Sequence, residues 1–373
     1  MIIAINTISF LNAEKEENFI YETFNRITKA HPGHTFIFIA EKTSGSLIIS
    51  EKVIPVNVGG APKNLIRAIV WFHLKIWKVL KQYKVDLFIS KGVCLLGSKT
   101  RQLLIAPDLN FIHQPAFVNR TRKLVLKKFT LRFLNKAGFI IVSSEFEKTG
   151  IVNNYQIPTD KIQVIYEGVN ENLQPINIEE RAIIKEKYAE GNEYFIYSGS
   201  ISSQKNLLNL LKAFSVFKKR QRSGMQLILA GNQGKYYDKF VESLKHYKFK
   251  KEVKLFPGLL QTGIEKIIAA SYAMLCPAVY ETSPRAPFIA MKCEVPVIVS
   301  STGALPEACI DAALYFDAGN FKDIAEKMME IFKDEKLRKE LMEKGKEQIK
   351  KFNWDRSAEI VWKNIEECVF KEA

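Results

Sequence analysis

The chain has 373 residues and a formal net charge of +15, and 47% of its residues are hydrophobic against 25% charged. This composition is that of an ordinary globular protein and excludes a disordered or fibrous chain, and the length predicts two domains at roughly 100–200 residues each. No apolar stretch approaches the roughly 18–20 residues that a membrane-spanning helix needs.

The N-terminus and the cysteines bear on the cellular compartment. Met1–Ser9 lacks a basic segment and a small-residue cleavage site, so we expect no signal peptide. The five cysteines are odd in number and have no metal-ligand spacing, which argues against a disulfide framework. We therefore expect a reduced, cytoplasmic protein. The positive charge would attract nucleic acid, an anionic membrane surface or a phosphorylated substrate, without choosing between them.

The first half of the chain alternates short apolar runs with longer helical segments. Such runs are typical of strands in a parallel sheet that has helices on both faces. The predicted strands are 2–8, His34–Ala40, Asp86–Ser90, Gln102–Ala106, Phe139–Ser143 and Ile162–Tyr166, and the predicted helices include Glu16–Lys29 and Ala61–Lys84.

A polar stretch near Asn170–Glu190 interrupts the pattern, which then begins again. Two doubly wound sheets in series predict two Rossmann-like domains, 1–172 and 173–352. Ligands of such sheets bind beyond the carboxyl ends of the strands, so we expect the ligand cleft between the domains. The strands predicted for the second half are Tyr194–Tyr197, Gln226–Ala230, Val253–Phe256, Ala273–Pro277 and Val295–Ser300.

The loop Ser198–Asn206 (SGSISSQKN) joins a predicted strand to a predicted helix, Leu207–Arg220. Ser202 or Ser203 can cap that helix, which would place Lys205 in its first turn. A positive charge there is unfavourable against the helix dipole unless an anion is bound. Two interpretations stay open: Lys205 and nearby backbone N–H groups bind a diphosphate, or Lys205 is a solvated lysine.

Three further features follow predicted strands of the second half. Leu229–Gly234 (LAGNQG) is a glycine turn, which is usually structural. Glu281 follows a strand and precedes a short helical run that ends at Cys293. Its carboxylate would either point into the cleft or serve as a cap or surface charge. Glu307 is either a site residue or an ordinary helix-start glutamate.

The order of these segments resembles the C-terminal domain of family 4 glycosyltransferases, which are GT-B enzymes that use nucleotide-sugars. The ordered series is GSISSQKNL, LAGN, a turn at Gly258, SYAMLCPAVYE and AMKCEVPVIVSSTGALPEA. Ser143–Asn170 resembles the end of the family's N-terminal domain, and Ala106–Pro115 resembles the segment that usually carries a His-Asp pair. Phe352–Ile365 resembles the final helix, which crosses back to the first domain. The resemblance implies an α/β fold of GT-B type, with two Rossmann-like doubly wound parallel-sheet domains facing a cleft and 353–373 joined to domain 1–172.

The resemblance also implies roles for individual residues. Lys205 matches the lysine that holds the donor diphosphate, and Glu281 matches the first glutamate of the family's E-x7-E element, near the donor sugar. Gly258 and Leu259 match the loop that contacts the nucleotide base. No metal is implied, because GT-B enzymes stabilise the leaving diphosphate with basic side chains and helix N-termini. The expected catalytic residues are Glu281 and Asp108, and the expected donor-binding residues are Gly199, Ser200, Lys205, Asn206, Gly231, Gly258, Leu259, Ser283 and Glu307.

Several positions depart from the family's pattern. Ile289 replaces the second glutamate of E-x7-E, which usually holds the ribose, and the Gly-Phe-Gly after the first glutamate is here 282–284 (Thr-Ser-Pro). Pro284 has no N–H to offer a sugar or phosphate. The remaining departures are Pro107 at the histidine of the His-Asp pair, Gln204 at the arginine before the lysine, and acidic Asn12–Asn18 in place of a glycine-rich loop.

Two basic stretches without acidic residues lie in the first half, at Ala61–Lys84 and Asn119–Lys136. Basic helices with aromatic residues can lie on anionic membranes. We expect the aromatic residues of the first stretch, Trp71, Phe72 and Trp77, to pack on the sheet, and we expect its lysines to face solvent or a membrane surface. We also expect His113, the histidine nearest the expected cleft, to be packed rather than to contact substrate.

The resemblance implies a retaining glycosyltransferase that moves a sugar from a UDP- or GDP-sugar to a glycan or lipid-linked acceptor. It would work in the cytoplasm, at the inner face of the membrane, without a metal or nucleic acid. The alternative is a catalytically degenerate GT-B protein that binds a glycan or a partner enzyme, which Pro107, Pro284 and Ile289 favour.

Overall fold

A computed structural model describes residues 1–8, 18–41, 53–62, 64–107, 109–113, 119–234, 236–259 and 263–370 of the chain. The chain forms two compact units. One comprises Met1–Gly168 with Trp354–Ala373, and the other comprises Val169–Asn353. The domain division expected from the sequence had its boundaries at 172 and 353.

The first unit is built on a seven-stranded parallel sheet of order β3-β2-β1-β4-β5-β6-β7. Helices cover both faces of the sheet, with one apolar core on each side. The strands are β1 (Ile2–Asn6), β2 (Thr35–Ala40), β3 (Val53–Asn57), β4 (Leu87–Lys91), β5 (Arg101–Ile105), β6 (Phe139–Val142) and β7 (Ile162–Val164), and the helices are α1 (Asn18–Ala30), α2 (Leu65–Gln82), α3 (Asn110–His113), α4 (Arg120–Lys136) and α5 (Glu145–Tyr155).

The second unit repeats this architecture with a six-stranded parallel sheet of order β10-β9-β8-β11-β12-β13. Its strands are β8 (Tyr194–Ser198), β9 (Gln226–Gly231), β10 (Val253–Pro257), β11 (Ala273–Cys276), β12 (Val297–Ser300) and β13 (Ala313–Phe316). Its helices are α6 (Ile178–Ala189), α7 (Leu207–Gln221), α8 (Tyr237–Lys245), α9 (Ile264–Ala269), α10 (Arg285–Lys292), α11 (Leu305–Cys309), α12 (Phe321–Lys333) and α13 (Glu335–Ile349).

The last helix, α14 (Trp354–Phe370), follows the second unit in sequence but packs in the first. It lies against α1, where the rings of Trp354 and Phe19 meet edge to face with centroids 6.1 Å apart. Ser357 Oγ donates a hydrogen bond to the carbonyl oxygen of Tyr166 near the end of β7. The helix therefore belongs to the core of the first unit.

The fold confirms the predicted α/β class and each predicted strand, and it adds two strands, β3 and β13. Both lie at the edge of their sheet. β3 contains Pro55 and is half-exposed, and β13 has four residues, two of them half-exposed. Pro55 interrupts the apolar run of β3, and an edge strand tolerates a proline because one of its sides is unpaired. The sequence of β13, ALYF, is apolar, and the sequence interpretation missed it.

The aromatic residues of α2 divide between two environments. Phe72 is buried, and Trp71 packs partly buried against the core on one side of the sheet, as expected. The expectation was wrong for Trp77, which is 49% exposed because its position falls on the far side of the helix. In the part of the chain that the structure describes, no helix is long and apolar enough to cross a membrane.

Candidate active site

The expected donor-binding residues of the second unit lie at the carboxyl edge of its sheet. Gly199 follows β8, Gly231 ends β9, Gly258 follows β10, Glu281 follows β11 and Glu307 follows β12. The direction of strand order reverses between β8 and β11, which are neighbours in the sheet. Open α/β sheets bind ligands beyond the carboxyl ends of their strands at such a reversal point. The loops after β8 and β11 are therefore the centre of the candidate site.

An ion pair joins these two loops. Lys205 Nζ lies 2.7 Å from Glu281 Oε2, and the side chains are only 20% and 17% exposed. The backbone adds a second connection, because Val279 N–H donates a hydrogen bond to the carbonyl oxygen of Gln204. The fold thus brings together the two residues to which the resemblance gave the most specific roles.

The structure corrects the predicted setting of Lys205. The residues Ser203–Lys205 form a separate 3₁₀ turn, and α7 begins after Asn206, whose backbone is left-handed (φ 58°). Neither Ser202 nor Ser203 caps α7, and Lys205 lies before the first turn of that helix. The anion that compensates its charge is a carboxylate of this chain, Glu281.

The ion pair fixes the charge state of Lys205. Burial lowers the pKa of Lys205, but attraction to the Glu281 carboxylate, the hydrogen bond to it and the smaller effects of Tyr197 and Cys276 together outweigh burial, so the net pKa is raised above the ordinary lysine value. Lys205 is therefore a permanent cation near neutral pH. Burial, reinforced by Glu281, raises the pKa of Cys276 to about 12, so this neighbouring thiol stays protonated and is a poor nucleophile.

Close backbone contacts hold the glycine turns together. A Cβ atom on Gly231 would lie 2.0 Å from the carbonyl oxygen of Gly199, and one on Gly199 would lie 2.6 Å from Tyr197 Oη. Gly258 N–H donates a hydrogen bond of 2.9 Å to the carbonyl oxygen of Gly231. The turns after β8, β9 and β10 are thus connected, and we call their glycines Gly199, Gly231 and Gly258 the glycine floor. Position 231 requires glycine because no space is left for a Cβ atom.

Gly303 holds the Glu281 segment in the same way, a role that the sequence interpretation missed. Its φ is +67°, and a Cβ atom there would lie 2.4 Å from the carbonyl oxygen of Glu281. That oxygen also accepts a hydrogen bond from Ala304 N–H. The Thr-Gly pair before the helix α11 is a local turn signal that could have identified this contact.

Two hydroxyl groups at the site lack partners. The oxygen atoms Ser200 Oγ and Ser283 Oγ are buried and have no hydrogen-bond partner among the residues that the structure describes. Ser200 lies on the loop that carries Lys205, and Ser283 lies two residues after Glu281. Because an unsatisfied buried hydroxyl costs about 1–3 kcal/mol, a bound ligand that paired with these groups would gain that energy.

The other expected donor-binding residues differ in their burial and in their contacts. The side-chain amide of Asn206 donates a hydrogen bond to the carbonyl oxygen of Ala318, so it supports the loop after β13. Gly258 (φ +81°) has open space where a Cβ atom would be, and Leu259 beside it is half-buried. Glu307 is half-buried in the first turn of α11.

The helix after Glu281 begins with few backbone donors. Pro284 precedes α10 and is buried, and Pro287 occupies its first turn. Neither proline has an N–H group, so the start of α10 offers fewer donors to an anion than an ordinary helix does. Ile289 lies on the same helix and is half-buried.

The structure describes few of the residues that were expected at the site from the first unit. Asp108 and most of the expected loop Asn12–Asn18 lie outside the described residues. His113 packs at the end of α3, with its ring centroid 5.0 Å from that of Phe146. A Cβ atom on Gly150 would lie 2.8 Å from His113 Nε2, so the α5 backbone approaches this ring closely.

Within the described ranges, no three His, Cys, Asp or Glu side chains are grouped so that they could hold a metal ion. The expectation that the protein needs no metal stays a prediction.

Comparison with known families follows the two units. Residues 179–348 match the family model described as "Glycosyl transferases group 1", and residues 17–173 match the model "Glycosyltransferase Family 4". Together these two matches indicate a GT-B glycosyltransferase of the group 1 and family 4 type. The degenerate form of the E-x7-E element stays a prediction, because no comparison bears on it.

The individual relatives have low sequence identity to this chain, but the similarity extends over most of its length. The chain is 23% identical over 277 residues to the O-antigen chain mannosyltransferase B of Escherichia coli, covering 74% of this chain and 73% of that protein. Among solved structures it is similar to sucrose-phosphate synthase from Thermosynechococcus elongatus, with a TM-score of 0.82, 17% identity and 98% of each chain covered. It is also similar to WaaG, a glycosyltransferase involved in lipopolysaccharide biosynthesis, with a TM-score of 0.77 and 14% identity over 99% of this chain and 100% of that chain. The solved structures support the GT-B fold.

Proposed function

We propose that this glycosyltransferase moves a hexose from a UDP- or GDP-sugar to a glycan or lipid-linked acceptor during synthesis of a cell-envelope polysaccharide. The similarity to an O-antigen chain mannosyltransferase supports the acceptor class and makes mannose the first sugar to test. The proposal includes retention of the anomeric configuration, which rests on the family resemblance alone.

The observation that carries the proposal is the half-buried ion pair of Lys205 and Glu281 at the reversal point of the second sheet. Transfer from a nucleotide-sugar leaves a nucleoside diphosphate, so negative charge develops on the leaving oxygen. A fixed cation held at that place stabilises the charge without reorganising during the reaction. Lys205 would neutralise the diphosphate, and Glu281 would orient the donor sugar.

The buried hydroxyls suggest further donor contacts. Ser200 and Ser283 lie on the loops that carry Lys205 and Glu281, and each has a hydroxyl oxygen without a described partner. A phosphate oxygen or a sugar hydroxyl would satisfy them. The glycine floor of Gly199, Gly231 and Gly258 would leave room for the nucleotide beside this pair. No metal is needed in this scheme, because the cation of Lys205 meets the leaving group directly.

A second candidate function is a GT-B protein that binds a glycan or a partner enzyme without catalysis. Ile289 on α10 favours it, since isoleucine cannot hold the ribose hydroxyls as the family's glutamate does. Pro284 adds to this, because it removes an N–H group from the start of α10. The retained ion pair argues for the enzyme.

The test is a donor screen with the purified chain and a matched variant. The wild type and Lys205→Met are incubated with GDP-mannose, UDP-glucose and UDP-galactose, with and without a lipid-linked oligosaccharide. Release of GDP or UDP is measured. We expect release from one donor by the wild type and a loss of at least about 100-fold in the variant, in line with the removal of a preorganised charge stabiliser.

Thermal unfolding separates the two candidates. A ligand that binds only the native state must raise the melting temperature. GDP or UDP should therefore stabilise the wild type more than Lys205→Met at the same nucleotide concentration. If neither nucleotide shifts the melting temperature and no donor is consumed, the enzyme proposal is wrong and the binding-protein candidate stands.

A further inference from the structure

The helix α2 exposes an apolar stripe to solvent. Ile66, Val70, Leu74 and Trp77 are 56%, 54%, 61% and 49% exposed. Their spacing of four, four and three residues places them on one face of the helix. The opposite face packs into the core of the first unit through Phe72 and other buried residues, so α2 is apolar on both sides. The core uses only the opposite face of α2, so it leaves the apolar stripe exposed to solvent.

The stripe is flanked by positive charge. Arg67, Lys75, Lys78 and Lys81 are all exposed on α2. The Lys81 ammonium lies over the Trp77 ring, 5.2 Å from its centroid. The segment 58–85 contains no acidic residue, so no carboxylate of this helix offsets the charge. A surface that is both apolar and cationic suits a partner that is apolar beneath an anionic layer.

A second basic helix lies on the same face of the sheet. Residues of α4 pack in the same core as those of α2, so the outer sides of both helices point away from one face of the sheet. Leu124 on α4 is 70% exposed and Leu131 is 39% exposed. The neighbouring cations Lys127, Lys128 and Arg132 are exposed as well. The outward sides of α2 and α4 together form what we call the basic–apolar face.

We propose that the basic–apolar face docks on a bilayer of anionic phospholipid, with the α2 stripe inserted among the headgroups. Insertion would bury the apolar side chains, and the flanking lysines and arginines would lie at the level of the lipid phosphates. Trp77 has the amphipathic ring that is enriched at membrane–water interfaces. A second copy of this chain is disfavoured on the same face, because it would bring two cationic surfaces together.

Vesicle co-sedimentation tests the proposal with three proteins of equal fold. The first is the wild type. The second is the stripe variant, Leu74→Gln with Trp77→Gln. The third is the charge variant, Arg67→Gln, Lys78→Gln and Lys81→Gln. All changed side chains are exposed, so we expect the melting temperatures to stay close to that of the wild type. Vesicles of phosphatidylglycerol with phosphatidylcholine are compared with vesicles of phosphatidylcholine alone.

We expect the wild type to sediment with the anionic vesicles at low salt and to stay in solution with the neutral ones. The charge variant should bind at least about tenfold more weakly, since each cation near such a surface contributes to affinity. The stripe variant should also bind at least about tenfold more weakly, because it loses apolar insertion. Tryptophan emission of the wild type should shift to the blue on binding, and that shift should be absent from the stripe variant.

Matched controls lie on the other unit. The exposed apolar residues Ile178 and Ile183 of α6 are changed to glutamine, and so are the exposed lysines Lys219, Lys336 and Lys339. These variants should bind as the wild type does.

A wild type that stays in solution, or variants of the basic–apolar face that bind as well as the controls, would overturn the proposal. So would a wild-type dimer that dissociates in the stripe variant, because the stripe would then be covered by a second copy. Each readout is independent of sugar transfer.

Discussion

Lys205 and Glu281 stand 76 positions apart in the sequence, and Lys205 Nζ donates a hydrogen bond of 2.7 Å to Glu281 Oε2. The charge of the lysine is thus compensated by the carboxylate. A nucleoside diphosphate would therefore compete with Glu281 for the lysine, while the carboxylate repels the incoming phosphates. This competition gives the two residues opposite expected effects on nucleotide binding, although both would be required for transfer.

The first prediction concerns nucleotide affinity. Lys205→Ala should weaken binding of GDP or UDP by about tenfold or more, as loss of a charge-assisted contact of roughly 1.5–3 kcal/mol would. Glu281→Gln should leave that affinity unchanged or tighten it, because it frees Lys205 and removes a negative charge. Calorimetric titration of both variants measures the two effects. Equal affinities in the wild type and Lys205→Ala would remove this lysine from the site.

The second prediction concerns pH. A raised pKa in the folded protein means that the stabilisation from a charged Lys205 is present at neutral pH and is lost only as pH rises through the raised value. Affinity for GDP should therefore stay level between about pH 7 and about pH 8.5, where the lysine keeps its proton and the guanine ring does not ionise. In Glu281→Gln, Lys205 stays buried but loses its attraction to the carboxylate, so the pKa of Lys205 should fall. The affinity of this variant for GDP should then decline as the pH rises across this range. A level profile in that variant would contradict the assigned cause of the shift.

At the scale of elements, the turns after β8 and β9 depend on the contact between Gly199 and Gly231. Gly231→Ala would place a Cβ atom 2.0 Å from the carbonyl oxygen of Gly199, so the two turns must separate. We expect a loss of about 1–3 kcal/mol in the free energy of unfolding, as overpacking typically costs, together with weaker nucleotide binding. Denaturant titration and calorimetry measure the two quantities.

Gly234→Ala is the matched control for this prediction. Its added Cβ atom would meet the carbonyl oxygen of Ile201 at 3.5 Å, which is an ordinary contact. This variant should keep both stability and affinity to within about 0.5 kcal/mol. If the two alanine variants behaved alike, the glycine floor would not depend on close approach at Gly231.

The fourth prediction concerns Ile289 on the helix α10. If the site binds a donor, Ile289→Glu should restore a ribose contact and tighten binding of GDP or UDP. If the site has been abandoned, the same change places a lone carboxylate in a half-buried position and mainly lowers stability. We expect tighter binding because Lys205 and Glu281 have both been kept. Ile289→Gln, which adds polarity without charge, is the control. A variant that melts earlier and binds nucleotide no better would support the binding-protein candidate.

At the scale of the whole molecule, the two units have separate cores, and the last helix belongs to the first of them. Trp354 is 4% exposed and packs beside Phe19 in that core. Its backbone also lies close to Gly168, where an added Cβ atom would be 2.4 Å from Trp354 N. The C-terminal segment therefore stabilises the unit that the N-terminal half begins.

The fifth prediction follows from this arrangement. Trp354→Ala should destabilise the first unit by about 3–5 kcal/mol, as truncation of a buried aromatic side chain does. Native-state hydrogen exchange should show lost protection in β1 and β4, while β8 and β11 keep theirs. Trp77→Ala on the exposed side of α2 is the control and should change neither. Equal loss of protection in both sheets would show that the units unfold as one.

The sequence by itself determined the class of fold and the order of its central elements. Runs such as 36–40 and 227–230 are apolar throughout, and a continuous apolar run is typical of a parallel strand that is buried on both faces. The ordered motifs also placed the candidate site after the strands of the second sheet. The sequence interpretation missed the edge strand β3, because this half-exposed strand is interrupted by Pro55 and has no continuous apolar run.

Only the tertiary structure decided which groups meet. It gave Lys205 a carboxylate from another loop, placed the Gly303 backbone against Glu281, and left the hydroxyls of Ser200 and Ser283 without described partners. It also turned Trp77 outward on a helix whose other aromatic residues pack inward. The physical reason is the same in each case. Local pattern fixes which element a residue belongs to, whereas its neighbours in space depend on how segments far apart in sequence are brought to one edge or one face of a sheet.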